Sequence, residues 1–229
     1  NHPPEIIKEI NGDLEETVTR QREEALHKEL RGREETIAKL TQEIERLKRD
    51  ALTGLENRHA LPEKEEKRKE SGKPWSILLL DIDRFKSIND IHGHDAGDKV
   101  LADIAKYLEG IFRKSDSVIR YGGEEFAVII KNAAPQDVIN KLFNKKDRRA
   151  EIGFETDFNG QKIRSTFSGG VTGFDREEEI KSAITRADQA LYFSKERGRD
   201  QITIWNEKLQ ENEFKNSGSM EVPLPLRGE

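Results

Sequence analysis

The chain contains no cysteine. Disulfides and thiolate chemistry are excluded, and a reducing, cytoplasmic setting is expected. No apolar run approaches the roughly 18 residues of a membrane-spanning helix, so no membrane contact is expected. An excess of basic charge is missing as well. Lys and Arg number 40 against 45 Asp and Glu, a net charge of −5, and no nucleic-acid partner is expected without a clustered basic face. His92 and His94 have an H-x-H spacing, yet no cysteine or third histidine lies near them, which favours a loop role over a zinc site. The 229 residues suit one or two domains. The chain opens on Asn1 instead of methionine, and a fragment lacking an upstream domain is expected.

Proline is absent between Pro4 and Pro62, and this stretch is rich in Glu, Lys and Arg. Leu26, Leu30, Ile37, Leu40, Ile44, Leu47 and Ala51 follow a spacing of 4 and 3, with Arg33 at one apolar site. That is a heptad seam. A single amphipathic helix lying on its own domain would bury little with so narrow a stripe. Residues 1–50 are therefore expected to form a parallel, dimeric coiled coil that joins two chains and carries a signal. Ile7, Ile10, Leu14 and Val18 do not keep the register, which predicts a stutter or break between Asn11-Gly12 and Arg22.

Past Asp50 the pattern changes to alternating helices and strands. Helices are predicted over Leu61 to Ser71, Ala96 to Phe112, Gln136 to Arg149 and Glu177 to Arg197. Strands are predicted over Trp75 to Asp81, Ser117 to Tyr121, Phe126 to Lys131, Glu151 to Phe158, Ile163 to Thr172 and Gln201 to Trp205, with a hairpin turn at Asn159-Gly160. The fold class is α+β, a mainly antiparallel sheet with flanking helices over residues 51–206. Residues 207–229, with Asn216-Ser217-Gly218-Ser219, Pro223 and Pro225, are expected to be a loose tail.

Two acidic features carry chemistry. Gly122-Gly123-Glu124-Glu125 lies between two strand-forming runs and reads as a hairpin tip, with the glycines supplying positive φ angles and bare backbone. The apolar run from Trp75 ends in Asp81-Ile82-Asp83, whose two carboxylates are expected on one face of a central strand. If the hairpin lies beside that strand, Asp81, Asp83 and Glu124 or Glu125 converge. Such a set of hard oxygen donors suits Mg²⁺, which keeps waters and shares substrate phosphates.

These motifs resemble the GGDEF family of diguanylate cyclases, in a GGEEF variant. The likeness spans Asp50-Ala51-Leu52-Thr53-Gly54-Leu55-Glu56-Asn57-Arg58, Asp81 to Asp90, Gly93-His94-Asp95-Ala96-Gly97-Asp98, Arg120 to Phe126, Ser168-Gly169-Gly170-Val171, and Ala187 to Arg199. It implies a ferredoxin-like nucleotide-cyclase palm and the condensation of two GTP into cyclic di-GMP with release of two pyrophosphates. It also implies that Asp81, Glu124 and the carbonyl of Ile82 hold Mg²⁺, with Mn²⁺ as an alternative, while Glu125 completes the site or activates the 3′-hydroxyl. The turn at Arg84, Phe85 and Lys86, together with Lys195 and Arg199, would receive phosphates, and Asn89 and Asp98 would read guanine. Arg113 and Asp116 resemble an inhibitory site for the product, with Arg148 or Arg149 as candidates for a second arginine. Asp95 and Asp103 are expected to be surface charges.

Arg84, Glu56, Asp200 and the short Asn132 to Gly153 segment depart from the family pattern. They bear on regulation more than on chemistry. The competing expectation is a catalytically silent receptor for GTP or cyclic di-GMP that signals through the same coiled coil.

Overall fold

The computed structural model describes residues 4–71, 74–143, 153–175 and 177–209. The chain divides into two compact units, Asn1–Leu47 and Lys48–Glu229. The first is one helix of 44 residues, α1 (Pro4–Leu47). It runs through Asn11-Gly12 and Arg22 without interruption, so the change of apolar register occurs inside a continuous helix. Leu26, Leu30, Ile37, Leu40, Ile44 and Leu47 are all exposed within this unit, between 46% and 63%. Ion pairs such as Arg33 with Glu29 at 2.8 Å brace the helix, each worth only a few tenths of a kcal/mol at such exposure. No described helix is long and apolar enough to cross a membrane.

The second unit runs β1 (Glu56–Asn57), α2 (Leu61–Ser71), β2 (Trp75–Ile82), α3 (Phe85–His92), α4 (His94–Ile111), β3 (Ser117–Arg120), β4 (Glu125–Lys131), α5 (Pro135–Leu142), β5 (Gly153–Phe158), β6 (Gln161–Phe174), α6 (Ile180–Glu196) and β7 (Ile202–Ile204). The sheet order is β1-β3-β4-β2-β6-β5, with β7 beside β6. Among the described residues only the β1–β3 and β6–β7 pairings are parallel. The α+β palm read from the sequence is therefore the observed architecture.

Helices cover both faces of the sheet, which explains why β2 is apolar without alternation. Leu78, Leu80 and Ile82 pack with Phe126 and Val128 against Val100, Ile104 and Leu108 of α4. On the other face Trp75, Ile77 and Leu79 pack with Ala127 and Ile129 against Ala183, Ala187 and Leu191 of α6. The β5–β6 hairpin turns at Asn159 and Gly160, whose φ values of 54° and 78° are those of the two-residue turn that Asn-Gly favours.

Several boundaries differ from the sequence reading. A separate helix, α3, precedes α4, and Gly93 with φ 87° makes the corner between them. The two-residue β1 was not foreseen. It is too short to have a pattern of its own and exists through pairing with β3. Helix α5 ends at Leu142 with Phe143 already extended, and the expected span from 144 on, with Arg148 and Arg149, lies outside the described residues, as do residues 210–229.

Helix α6 lies unusually close to β6. A Cβ on Gly170 would stand 2.0 Å from the Ala187 carbonyl oxygen and 2.3 Å from the Leu191 nitrogen, so helix backbone rests directly on strand backbone. This contact fixes where the C-terminal end of α6 meets the end of β2. Replacement of Gly170 by alanine must push α6 outward, and a stability loss of about 3 kcal/mol is expected in urea unfolding. A loss under about 0.5 kcal/mol would mean that α6 has freedom to shift.

Candidate active site

The end of β2 collects the acidic residues. Strand β4 pairs antiparallel with β2 in a register that puts Glu125 opposite Asp81. Directly opposed residues share a face, here the α6 face. The hairpin tip closes over the strand end, where the Ile82 N–H donates to the Glu124 carbonyl oxygen at 3.2 Å. From α6, the Lys195 Nζ reaches Asp81 Oδ2 at 2.8 Å. Asp188 lies seven residues earlier on the same helix, and with Glu125, Tyr121 and Thr185 it lines a cavity of ≈ 360 Å³.

The electrostatics show crowding of negative charge. Burial pushes the Glu125 carboxyl up, with Asp81, Asp188 and Glu124 adding to the rise and Lys195 opposing it. Desolvation likewise raises Asp188, against Lys195 and together with Asp81. No set of three or more acidic or histidine side chains close enough to cage a metal is found among the described residues. Two carboxylates and a backbone carbonyl nevertheless suit Mg²⁺, which completes its shell with water and phosphate oxygens. The Lys195 ammonium on Asp81 marks a place where a cation is favoured.

Asp83 does not join this cluster. Its carboxylate accepts from Thr166 Oγ1 at 2.7 Å, Ser168 Oγ at 2.6 Å and the Asp200 N–H at 3.0 Å, and the residue is 7% exposed. Strand β2 ends at Ile82, so the alternation that placed Asp83 beside Asp81 no longer applies. Asp83 instead ties the end of β2 to β6 and to the turn after α6.

Neither Gly122 nor Gly123 has a positive φ. What Gly122 contributes is space, since a Cβ there would lie 2.4 Å from Glu125 Oε2.

The remaining predicted residues lie at or on α3, on α4 and in the turn after α6. Arg84 starts α3 with φ 55° and ψ 32°, the left-handed region. Arg84, Ser87, His92, Arg164, Arg199 and Asp200 are among those lining a cavity of ≈ 720 Å³. Phe85 is buried, whereas Arg84, Lys86 and Arg199 are exposed. Asn89, on α3, turns its side chain toward α4, where a Cβ on Gly97 would meet its Oδ1 at 1.8 Å. Asp98 is exposed at the start of α4, one residue beyond that contact.

Arg113 and Asp116 separate in role. Asp116 accepts from the Arg113 N–H at 3.1 Å, the Lys131 N–H at 3.3 Å and Lys141 Nζ at 3.2 Å, with its side chain 1% exposed. Arg113 is exposed and borders two cavities, of ≈ 460 and ≈ 330 Å³. Asp116 thus shapes the turn, and the guanidinium of Arg113 is what faces solvent.

Sequence reading missed a clamp on the hairpin tip. Arg120 donates through Nε and Nη2 to the Gly123 carbonyl at 3.2 and 2.8 Å, and through Nη1 to both oxygens of Asp50 at 3.0 and 3.1 Å. Thr53 also donates to Asp50, through its N–H at 2.9 Å and its hydroxyl at 2.7 Å. Burial works to raise the Asp50 pKa, but these bonds from Thr53 and Arg120 together hold it below the usual value. Both residues stood inside quoted motifs, but nothing in their spacing of seventy positions linked them.

Comparison with known proteins identifies the family. Residues 47–201 match the family profile "Diguanylate cyclase, GGDEF domain". The chain belongs to the GGDEF family. It is 40% identical over 138 residues to diguanylate cyclase A of Treponema denticola, covering 58% of this chain and 36% of that protein. Among solved structures, diguanylate cyclase SiaD of Pseudomonas aeruginosa, in complex with its activator SiaC, superposes with a TM-score of 0.62 at 31% identity, covering 87% of this chain and 83% of that one. The coiled coil and GGDEF domain of DgcB from Caulobacter crescentus, in complex with c-di-GMP, gives a TM-score of 0.62 at 28% identity, covering 78% and 98%. The chain spans about a third of the length of the curated relatives it matches.

The clamp has a pH signature. Because the Asp50 pKa is depressed on folding, its contribution is present above the unfolded carboxylate value near ~4 and is lost as pH falls through the folded value. Arg120→Ala is expected to cost about 2–3 kcal/mol at pH 7 in urea unfolding. The difference from the parent should shrink as the pH is lowered to about 3. A cost that stays constant over that range would remove the Asp50 pair as its source.

Proposed function

We propose that this chain is a diguanylate cyclase, which joins two molecules of GTP into cyclic di-GMP and releases two pyrophosphates. The observation that carries the reading is the pairing of Asp81 with Glu125 beneath the Gly122-Gly123 tip, beside Lys195. Membership of the family supports the reaction class.

Asp81, Glu124 and the carbonyl of Ile82 would hold Mg²⁺ or Mn²⁺. When bound, the cation offsets charge on the triphosphate and on the departing pyrophosphate. Lys195 from the last turn of α6 and Arg199 from the turn after it add positive charge, and the backbone N–H groups of Arg84, Phe85 and Lys86 would face anionic oxygens at the start of α3. Asn89 and Asp98 select guanine, since a carboxylate accepts from its ring N–H and exocyclic amine, which adenine does not present in that arrangement. Glu125, a partly buried carboxylate whose pKa is raised by desolvation, is suited to take the proton of the attacking 3′-hydroxyl.

Each catalytic unit holds one GTP, so two must face each other for both 3′-hydroxyls to find the opposite α-phosphates. The exposed seam of α1 supports a dimer. Ile37 and Ile44 fall at a positions and Leu40 and Leu47 at d positions, the combination that favours two parallel strands. Linking the chains raises the effective concentration of one catalytic unit for the other. Product inhibition would act through Arg113, with Asp116 holding its turn in place.

Incubation of the chain with GTP and Mg²⁺ is expected to yield cyclic di-GMP. A silent receptor would bind nucleotide and yield none. Asp81→Asn is expected to remove most turnover while leaving thermal unfolding near that of the parent, because one anionic ligand is lost without a change of shape. Near-normal activity of this variant at ordinary Mg²⁺ would rule out its assigned role.

Regulation is tested separately. Arg113→Ala removes charge-assisted bonds worth about 1.5–3 kcal/mol and should weaken cyclic di-GMP binding roughly ten- to hundredfold in calorimetry, with initial turnover preserved. An unchanged affinity would leave the turn a purely structural element.

A further inference from the structure

The end of β2 carries more negative charge than the local backbone offsets. Asp81 and Glu125 stand opposite each other, Glu124 follows at the tip, and Asp188 approaches from α6. Glu125 and Asp188 both feel the negative charge of Asp81 and the positive charge of Lys195. The Lys195 ammonium stands 2.8 Å from Asp81 Oδ2.

This placement is not that of an ordinary helix-ending cation. Lys195 belongs to the last turn of α6, where a lysine can lie along its own terminal carbonyls. Its ammonium instead leaves the helix to reach the neighbouring strand. The helix backbone is held against β6 at Gly170, so the base of the side chain is fixed and motion is left to the four-carbon stem. The ammonium end is also within reach of solvent, with the Lys195 side chain 31% exposed and that of Asp81 13% exposed. Such a pair is accessible enough to be exchanged.

We propose that Lys195 is a resident counter-ion that occupies Asp81 when divalent cation and nucleotide are absent, and passes to the nucleotide phosphates when the cation takes over the carboxylate. The inference rests on the assignment of Asp81 to the metal site above. The exchange gives each ligand a reason to need the other. A divalent cation arriving alone must displace the ammonium from its 2.8 Å contact with Asp81. A triphosphate arriving alone must draw the ammonium away and leave the carboxylates facing one another. Arriving together, they satisfy both groups, so Lys195 suppresses cation binding to the nucleotide-free enzyme and favours it once the phosphates are present.

The test measures binding of Mn²⁺ alone, by loss of the free-ion electron paramagnetic resonance signal, with no turnover involved. Lys195→Met is expected to bind Mn²⁺ about tenfold more tightly than the parent, a factor within the usual range of coupling between sites. Lys195→Gln, which keeps a polar end, should show the same direction if the methionine variant does not fold. In an Asp81→Asn background the Lys195 substitution should bring no gain, because the competition runs through that carboxylate. Arg197→Gln, which removes a neighbouring cation that does not touch Asp81, should leave Mn²⁺ affinity near that of the parent.

A second arm separates the inference from the reading beneath it. The parent is titrated with Mn²⁺ in the presence of the α,β-methylene analogue of GTP, which cannot release pyrophosphate. Tight Mn²⁺ binding that Asp81→Asn abolishes upholds the metal assignment. If that holds and neither Lys195 variant binds Mn²⁺ alone more tightly than the parent, the exchange is overturned by itself. If Asp81→Asn leaves Mn²⁺ binding with the analogue intact, the metal assignment falls and the exchange falls with it.

Discussion

β2 is hydrogen-bonded along both edges, to β4 and to β6, and it is covered on both faces. Its end therefore cannot move without breaking two ladders and two layers of packing at once. Every group at the candidate site is referred to that fixed point. Glu125 is placed by cross-strand register, Glu124 by the hairpin that register closes, and Lys195 by the seating of α6 on β6. A site built from strand ends and one helix terminus needs no long loop to hold its geometry, which is the arrangement that keeps reacting groups in position.

The charges at this point run against stability. Burial and neighbouring negative charge raise the pKa of Glu125 and of Asp188, and a fold selected for stability alone would replace or pair such groups. The folded chain binds protons on Glu125 and Asp188 more readily than the unfolded chain does, so these groups weaken folding as pH rises through their raised values. A bound cation reverses that sign. Local strain of this kind is expected where binding of a ligand is the purpose of the arrangement.

Other carboxylates in the same unit are surrounded by donors. Asp83, Asp116 and Asp50 each accept several hydrogen bonds from their own chain. Asp83 joins the end of β2 to β6 and to the turn after α6, Asp116 closes the turn before β3, and Asp50 passes through Arg120 to the hairpin tip. Saturated acids serve as anchors, and under-satisfied acids remain open to a ligand. The distinction lies in the count of donors around each group.

The sequence by itself determined the apolar strand β2, the heptad stripe of α1, the Asn159-Gly160 turn and the residue types at the strand end, because each is encoded in neighbours a few positions apart. Strand alternation and heptad spacing are local properties of a backbone with fixed periods. Tertiary structure alone decided which acid faces which. Asp83 left the expected cluster because β2 stops at Ile82 and the hydroxyls of Thr166 and Ser168 lie within reach. Gly122 is needed for the space it leaves to Glu125 and not for its φ, a requirement visible only once the side chain is in place. Arg120 finds Asp50, and Lys195 finds Asp81, across separations that no sequence period spans. Charge pairing falls off with distance in space, and folding, not sequence order, sets that distance.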